Sequence, residues 1–126
     1  MLEVVAALVR REGRIMICRR AEGKSNALLW EFPGGKVEKG ETMQQAIERE
    51  CLEELSVTLR AGELCAETVC AYPSGEIHLS LISAEIVSGS VKKLEHNDIR
   101  WITPSELSDY EFCPADKKLI ESLRKG

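Results

Sequence analysis

Apolar residues gather early in the chain in two short runs, residues 2–10 and 14–20, separated by Arg11-Glu12-Gly13. Two β-rich runs around a glycine turn predict a hairpin. From Val4 to Val9 the first run is apolar without alternation, the pattern of a strand covered on both faces. Residues 21–29 are polar and include Gly and Asn, so they read as a loop leading into Trp30-Glu31-Phe32-Pro33-Gly34-Gly35-Lys36. Nothing between Met43 and Leu55 breaks a helix, and Thr42 is placed to cap it. At about 100° per residue, Met43, Ile47, Cys51 and Leu55 form the face that must meet a core. Residues 58–72 and 75–87 are longer strand candidates, with Pro73-Ser74-Gly75 as the turn. In the second, Ile77, Leu79 and Leu81 alternate with His78, Ser80 and Ile82, so one face is partly polar. A short strand is expected at 99–102, a helix start at Thr103-Pro104-Ser105-Glu106, and a last helix over 115–123 closed by Arg124-Lys125-Gly126. The order of these elements predicts the α/β class, with a mixed sheet between helices.

At 126 residues the chain is expected to form one domain, residues 1–126, large enough for a real core. Its net charge of −4 argues against a surface for duplex nucleic acid. A nucleotide held through a divalent cation stays compatible, because the metal supplies the positive charge. The five cysteines are scattered with no CxxC pair, which reads as reduced thiols in a cytoplasmic protein. No apolar run reaches membrane-spanning length and no targeting segment is visible, so no membrane partner is expected.

The chemistry concentrates on the 43–55 helix. Glu50, Glu53 and Glu54 fall within an arc of roughly 100°, beside the apolar face. Like-charged neighbours one turn apart repel by roughly 0.2–0.5 kcal/mol per pair. Arg49 offsets part of this through its i,i+4 relation to Glu53. A solvated charge run and a site for a hard divalent cation both fit the composition, and the spacing separates them. Gly35 is followed by five residues, Glu41, seven residues, and then Arg49-Glu50-Cys51-Leu52-Glu53-Glu54. Six fixed positions coincide by accident roughly once in 10⁷ windows at average residue usage.

This segment resembles the signature box of the Nudix hydrolases. The resemblance covers almost the whole chain and implies the Nudix α/β/α sandwich. Two positions depart from the pattern: Ser56 stands where the family usually has Gly, and Cys51 where it usually has a bulky aliphatic. Neither removes a metal ligand, although Ser56 costs about 1 kcal/mol if the helix must end left-handed.

Within the family, LWEFPGGKVE, EHNDIRW and PAD most resemble the MutT-like branch, which includes 8-oxo-dGTP diphosphatases and CTP pyrophosphohydrolases. The resemblance implies that Glu50, Glu53, Glu54, the Gly34 carbonyl and Glu95 hold Mg²⁺ or Mn²⁺ against the phosphates. It leaves Glu50, Glu53 and Glu95 open as the general base. Arg20 and Lys36 are the expected phosphate contacts, and Arg49 orients the acids from behind. Phe32 and Asp116 inherit places near the base. His78 is a further pocket candidate from its strand face, and with no second His or Cys at ligand spacing it makes no zinc site.

The implied reaction is Mg²⁺-dependent hydrolysis of a nucleoside triphosphate, modified or not, to monophosphate and pyrophosphate, as in nucleotide-pool sanitisation. The expected partner is the nucleotide alone, bound by a monomer or homodimer. Two other readings remain: a Nudix hydrolase for another diphosphate such as a nucleotide sugar, and a catalytically silent Nudix-fold binding module. Loss of a box acid would mark the silent class, and none is lost. Asp116, accepting hydrogen bonds when ionised, should favour a base edge rich in donors, such as the amino group of cytosine. Only strong burial would raise its pKa enough to make it a donor.

Overall fold

The apolar run at Val4–Val9 becomes the middle of the sheet, and the rest of the chain is assembled around it. A computed structural model describes residues 1–125; Gly126, expected to close the last helix, lies outside the described residues. Strand β1 (Leu2–Arg11) pairs in parallel with β6 (Gly75–Ser88), Leu2 opposite Ile77 through Val9 opposite Ala84. Its far end forms the predicted hairpin with β2 (Arg14–Arg20), Arg11 opposite Arg14. Two short strands, β3 (Trp30–Glu31) and β4 (Gly34–Lys36), arise inside the stretch read as a turn; β3 joins β2 and β4 joins β1. Strand β5 (Thr58–Tyr72) lies antiparallel to β6 at the sheet edge, and β7 (His96–Ile102) pairs antiparallel with β2. The sheet is therefore mixed, as expected.

Each face of the sheet has its own apolar cluster. Helix α1 (Met43–Leu55) lays Ala46, Ile47, Cys51 and Leu55 on Val5, Ala7, Val9, Met16 and Ile82. On the other face, helix α2 (Pro114–Lys125) and a 3₁₀ turn (Pro104–Asp109) cover Leu8, Ile17, Trp30, Phe32, Leu81 and Phe112. Alternation along β1 accounts for the split: Val5, Ala7 and Val9 point one way, Ala6 and Leu8 the other. Helices thus flank the sheet on both sides.

Thr42 caps α1 with a full capping box, taking the Gln45 N–H while Gln45 accepts from the Thr42 N–H. The helix ends on Ser56 in the left-handed region, φ 60° and ψ 34°. Two expected boundaries move. The strand expected at 99–102 starts at His96, because β2 supplies ladder partners as far as Arg20 opposite His96. The helix expected after Thr103 is only the 3₁₀ turn, and Tyr110 leaves it in extended backbone. All five cysteines are free thiols, four of them buried. No helix among the described residues is long and apolar enough to cross a membrane.

Candidate active site

Arg49 organises the polar side of α1. Its Nε donates to Glu41 Oε2 at 2.7 Å, its Nη2 to Glu41 Oε1 at 3.0 Å, and its Nη1 to Glu50 Oε1 at 2.8 Å. Nη2 also reaches the Lys36 carbonyl at 3.0 Å, tying the helix to β4. The Arg49 bond holds the Glu41 carboxyl below its usual range and raises the guanidinium's own pKa. Glu53 lies 3.5 Å from the same guanidinium and is more than half exposed. The box carboxylates are therefore oriented from behind, with their outer edges facing a cleft.

That cleft, about 270 Å³, is lined by Glu31, Glu50, Glu53, Glu54, Glu95 and His96, with Arg20, Lys24 and the Gly34 backbone. Glu95 pairs with Lys24 Nζ at 3.2 Å. Glu31 Oε1 accepts from Arg20 Nη1 at 2.9 Å, and Glu31 Oε2 lies 3.1 Å from His96 Nε2. The Glu54 carboxyl is held well above the usual carboxylate range, first by burial and then by Glu50, Glu31 and Glu95 nearby. A carboxylate in that position calls for a proton or a cation.

The donor set suits a hard divalent cation: oxygen ligands in excess, with five acids against two basic side chains, Arg20 and Lys24, beside the Gly34 backbone. The donors ring the cleft rather than converge; among the described residues, no three His, Cys, Asp or Glu side chains meet at metal-ligand spacing. Gly35 lets the strand pass close, since a Cβ there would stand 2.5 Å from Glu50 Cδ.

A second cleft, about 320 Å³, adjoins the first and shares Arg20, Glu31 and Gly34 with it. Its far wall is largely apolar, with Ile77, Leu79, Cys113, Ala115 and Tyr72 around Asp116. Asp116 opens α2 and is buried, with Oδ2 accepting the Phe32 backbone N–H at 2.9 Å. Burial, with a smaller push from Glu31, drives its carboxyl up to about 7 against the opposing pull of the Phe32 N–H and Arg20. An acid at that value exists in both forms near neutrality, so Asp116 offers an acceptor or a donor. Burial also raises the Cys113 thiol to about 12, so it lines the cleft as an uncharged group.

The family model described as NUDIX domain matches residues 1–123. The chain belongs to the Nudix family. This Nudix chain is 38% identical over 123 residues to the CTP pyrophosphohydrolase of Escherichia coli K12, covering 98% of this chain and 91% of that protein. It is 34% identical over 123 residues to the 8-oxo-dGTP diphosphatase of Haemophilus influenzae, covering 97% and 90%. Among solved structures, the E. coli ORF135 protein superposes with a TM-score of 0.85 at 36% identity, covering 99% of this chain and 89% of that one. The MutT protein of Methanosarcina mazei superposes at 0.84 with 25% identity, covering 98% and 93%. Fold class and family therefore agree with the sequence, and the relatives belong to the MutT-like group it resembles.

The Nudix fold gathers most of the expected residues. Glu50, Glu53, Glu54, Glu95, Gly34 and Arg20 line the acidic cleft, and Asp116 lines the apolar one. Others are not brought there. His78 lies on the opposite strand face from Ile77 and Leu79, its ring between Glu3 at 2.7 Å and Glu67 at 2.8 Å. Alternation carries Ile77 and Leu79 to the cleft and therefore carries His78 away from it. The Phe32 ring is buried against Phe112, with centroids 5.6 Å apart, and its backbone amide reaches the second cleft through Asp116. Lys36 lines neither cleft and contributes its carbonyl to Arg49. Glu31 and His96 were missed. A signal for Glu31 was present: Trp30 and Phe32 turn toward the core, so Glu31 between them must face the other way.

Proposed function

We propose that this Nudix chain hydrolyses a nucleoside triphosphate to the monophosphate and pyrophosphate, with Mg²⁺ or Mn²⁺ in the acidic cleft. The observation that carries this reading is the junction of the two clefts at Arg20, Glu31 and Gly34. An acidic, cation-suited cleft adjoining one whose far wall is largely apolar around a single buried acid matches a ligand that is polyphosphate at one end and a flat base at the other. The names of the relatives support the same substrate class.

A divalent cation held there supplies charge against the phosphate oxygens and polarises water for attack. Glu50, Glu53, Glu54, Glu95 and the Gly34 carbonyl are the groups that would hold it. Arg49 keeps Glu50 in place through the 2.8 Å bond and braces Glu41 behind it. One of Glu50, Glu53 and Glu95 accepts the proton of the attacking water. Glu53 is the least tied of them, 3.5 Å from Arg49, whereas Lys24 holds Glu95 at 3.2 Å. Arg20 faces both clefts and is the basic group placed to meet a phosphate between them.

At the base end, ionised Asp116 accepts from the amino group of cytosine, and protonated Asp116 donates to a ring or carbonyl acceptor. Cytosine nucleotides, including 5-methylated ones, are accordingly proposed to be at least as good substrates as 8-oxo-dGTP. A panel of common, oxidised and methylated triphosphates, with a nucleotide sugar alongside, tests the reading. Pyrophosphate release that stops with EDTA is expected. Turnover of the nucleotide sugar alone would overturn it.

A further inference from the structure

Strand β7 enters the sheet through an irregularity. Arg19 of β2 stands opposite Asp98, but Arg20 stands opposite His96, so Asn97 is an extra residue in the ladder. An inserted residue of this kind bends the strand and re-aims the side chain beside it. The Arg19 guanidinium clamps the Asn97 amide oxygen, with Nε at 2.8 Å. The neighbouring His96 side chain turns inward and is only 4% exposed.

Inside, the His96 ring meets two acids through one nitrogen. Nε2 lies 3.1 Å from Glu31 Oε2 and 3.7 Å from Glu54 Oε1. A carboxylate only accepts, so Nε2 must carry the hydrogen. Nδ1, on the other edge of the ring, is buried and has no hydrogen-bond partner among the described residues. A buried imidazole with one orphaned nitrogen is a poor way to fill space, because an apolar side chain would do so without loss. The feature that requires histidine is the Nε2 donor. Glu31 is meanwhile gripped at both oxygens, Oε1 by Arg20 and Oε2 by His96.

We propose that His96 is a positioning residue: turned inward by the bulge at Asn97, its Nε2–H holds Glu31 on the shared wall of the two clefts and faces Glu54 in the acidic one, and so presets the cation site. The proposal rests on the reading of Glu54 as a cation ligand. It also assigns Glu31 a structural task at the junction, as the link between His96 and Arg20.

The test exploits side-chain length. The amide nitrogen of Gln reaches the place of Nε2, while that of Asn reaches only the place of Nδ1. Mn²⁺ affinity of the full chain is measured without nucleotide by titration calorimetry, alongside KM and kcat with CTP. His96→Ala and His96→Asn should weaken Mn²⁺ binding about 10–100-fold, the usual range for losing a group that orients a ligand. His96→Gln should stay within about threefold of the parent on the same scale, and this rescue excludes general unfolding as the cause. If Glu54→Gln binds Mn²⁺ like the parent, the cation-site reading fails and the proposal falls with it. If Glu54→Gln loses Mn²⁺ but His96→Ala does not, or Gln is as damaging as Ala, only the His96 proposal is overturned.

Discussion

The two clefts that meet at Glu31 each contain a carboxyl raised far above its ordinary value, and the two are raised in different company. Glu54 is surrounded by further acids, Glu50, Glu31 and Glu95, so burial and like charge push in the same direction. Asp116 has a largely apolar wall around it, and there burial, joined by Glu31 alone among the acids, is opposed by the Phe32 N–H and by Arg20. The relief available differs accordingly. A divalent cation answers the first situation, because its charge offsets several acids together. A proton answers the second, because one buried acid needs only one charge removed. The proposed substrate, a nucleoside triphosphate, would answer both in one ligand, its phosphates beside the acids and its base beside Asp116.

The sharpest way to break this contrast is on the acidic side. Glu54→Gln or Glu53→Gln should reduce turnover at saturating Mg²⁺ by at least about 10²-fold, since losing even an orienting partner costs 10–100-fold. The fold should persist, with a melting temperature that holds or rises as like-charge repulsion is relieved. Turnover near the parent level would show that these acids are an ordinary charged face.

On the apolar side the expected effect is smaller and concerns selectivity and pH. Asp116→Asn should shift the kcat/KM ratio of CTP to 8-oxo-dGTP away from cytosine by about 1–3 kcal/mol. An unchanged ratio would leave Asp116 as a charge at a helix start. The same substitution reports on stability. The folded-state value of about 7 lies above the ordinary 3.8, so the native protein binds the extra proton between them. Stabilisation from this group is fully present below about pH 4 and is lost as pH rises through about 7, on the order of 4 kcal/mol in all. The parent should therefore lose stability relative to Asp116→Asn between pH 4 and 8, as read by denaturant midpoints; parallel curves would mean that the acid is not buried in solution.

The mildest test lies at the end of α1, away from both clefts. Ser56 holds φ 60°, a region that a side chain disfavours. Ser56→Gly should raise stability by about 1 kcal/mol, moving the denaturant midpoint at constant slope and leaving turnover alone.

The clefts also differ in how much of each the sequence reveals. The acidic wall is nearly contiguous: Gly34, Glu50, Glu53 and Glu54 lie on one strand end and one helix, and helical spacing alone puts the acids together. The second cleft takes Ile77 and Leu79 from β6, Tyr72 from β5, Cys113 from just before α2 and Asp116 from its first turn. Which face of β6 lines it depends on the pairing with β1, and a strand's period of two fixes its faces only relative to each other. The polarity of His78 marks it as a pocket candidate, but the register sets it on the face turned away from the cleft. His96 was hidden by a different cause. A bulge at Asn97 breaks the alternation, and nothing in EHNDIRW marks which residue will be the extra one. The short strands β3 and β4 leave no trace in the sequence, because two or three residues carry no period.

The central claim is that the joined clefts hold a triphosphate so that water attacks between the pyrophosphate and the nucleoside monophosphate. Hydrolysis of CTP in ¹⁸O-water with Mg²⁺, followed by mass spectrometry of the products, tests it most directly. The account predicts CMP and pyrophosphate in equal amounts, with the heavy oxygen entering only one of the two in a single turnover. Release of orthophosphate and CDP in their place would contradict it.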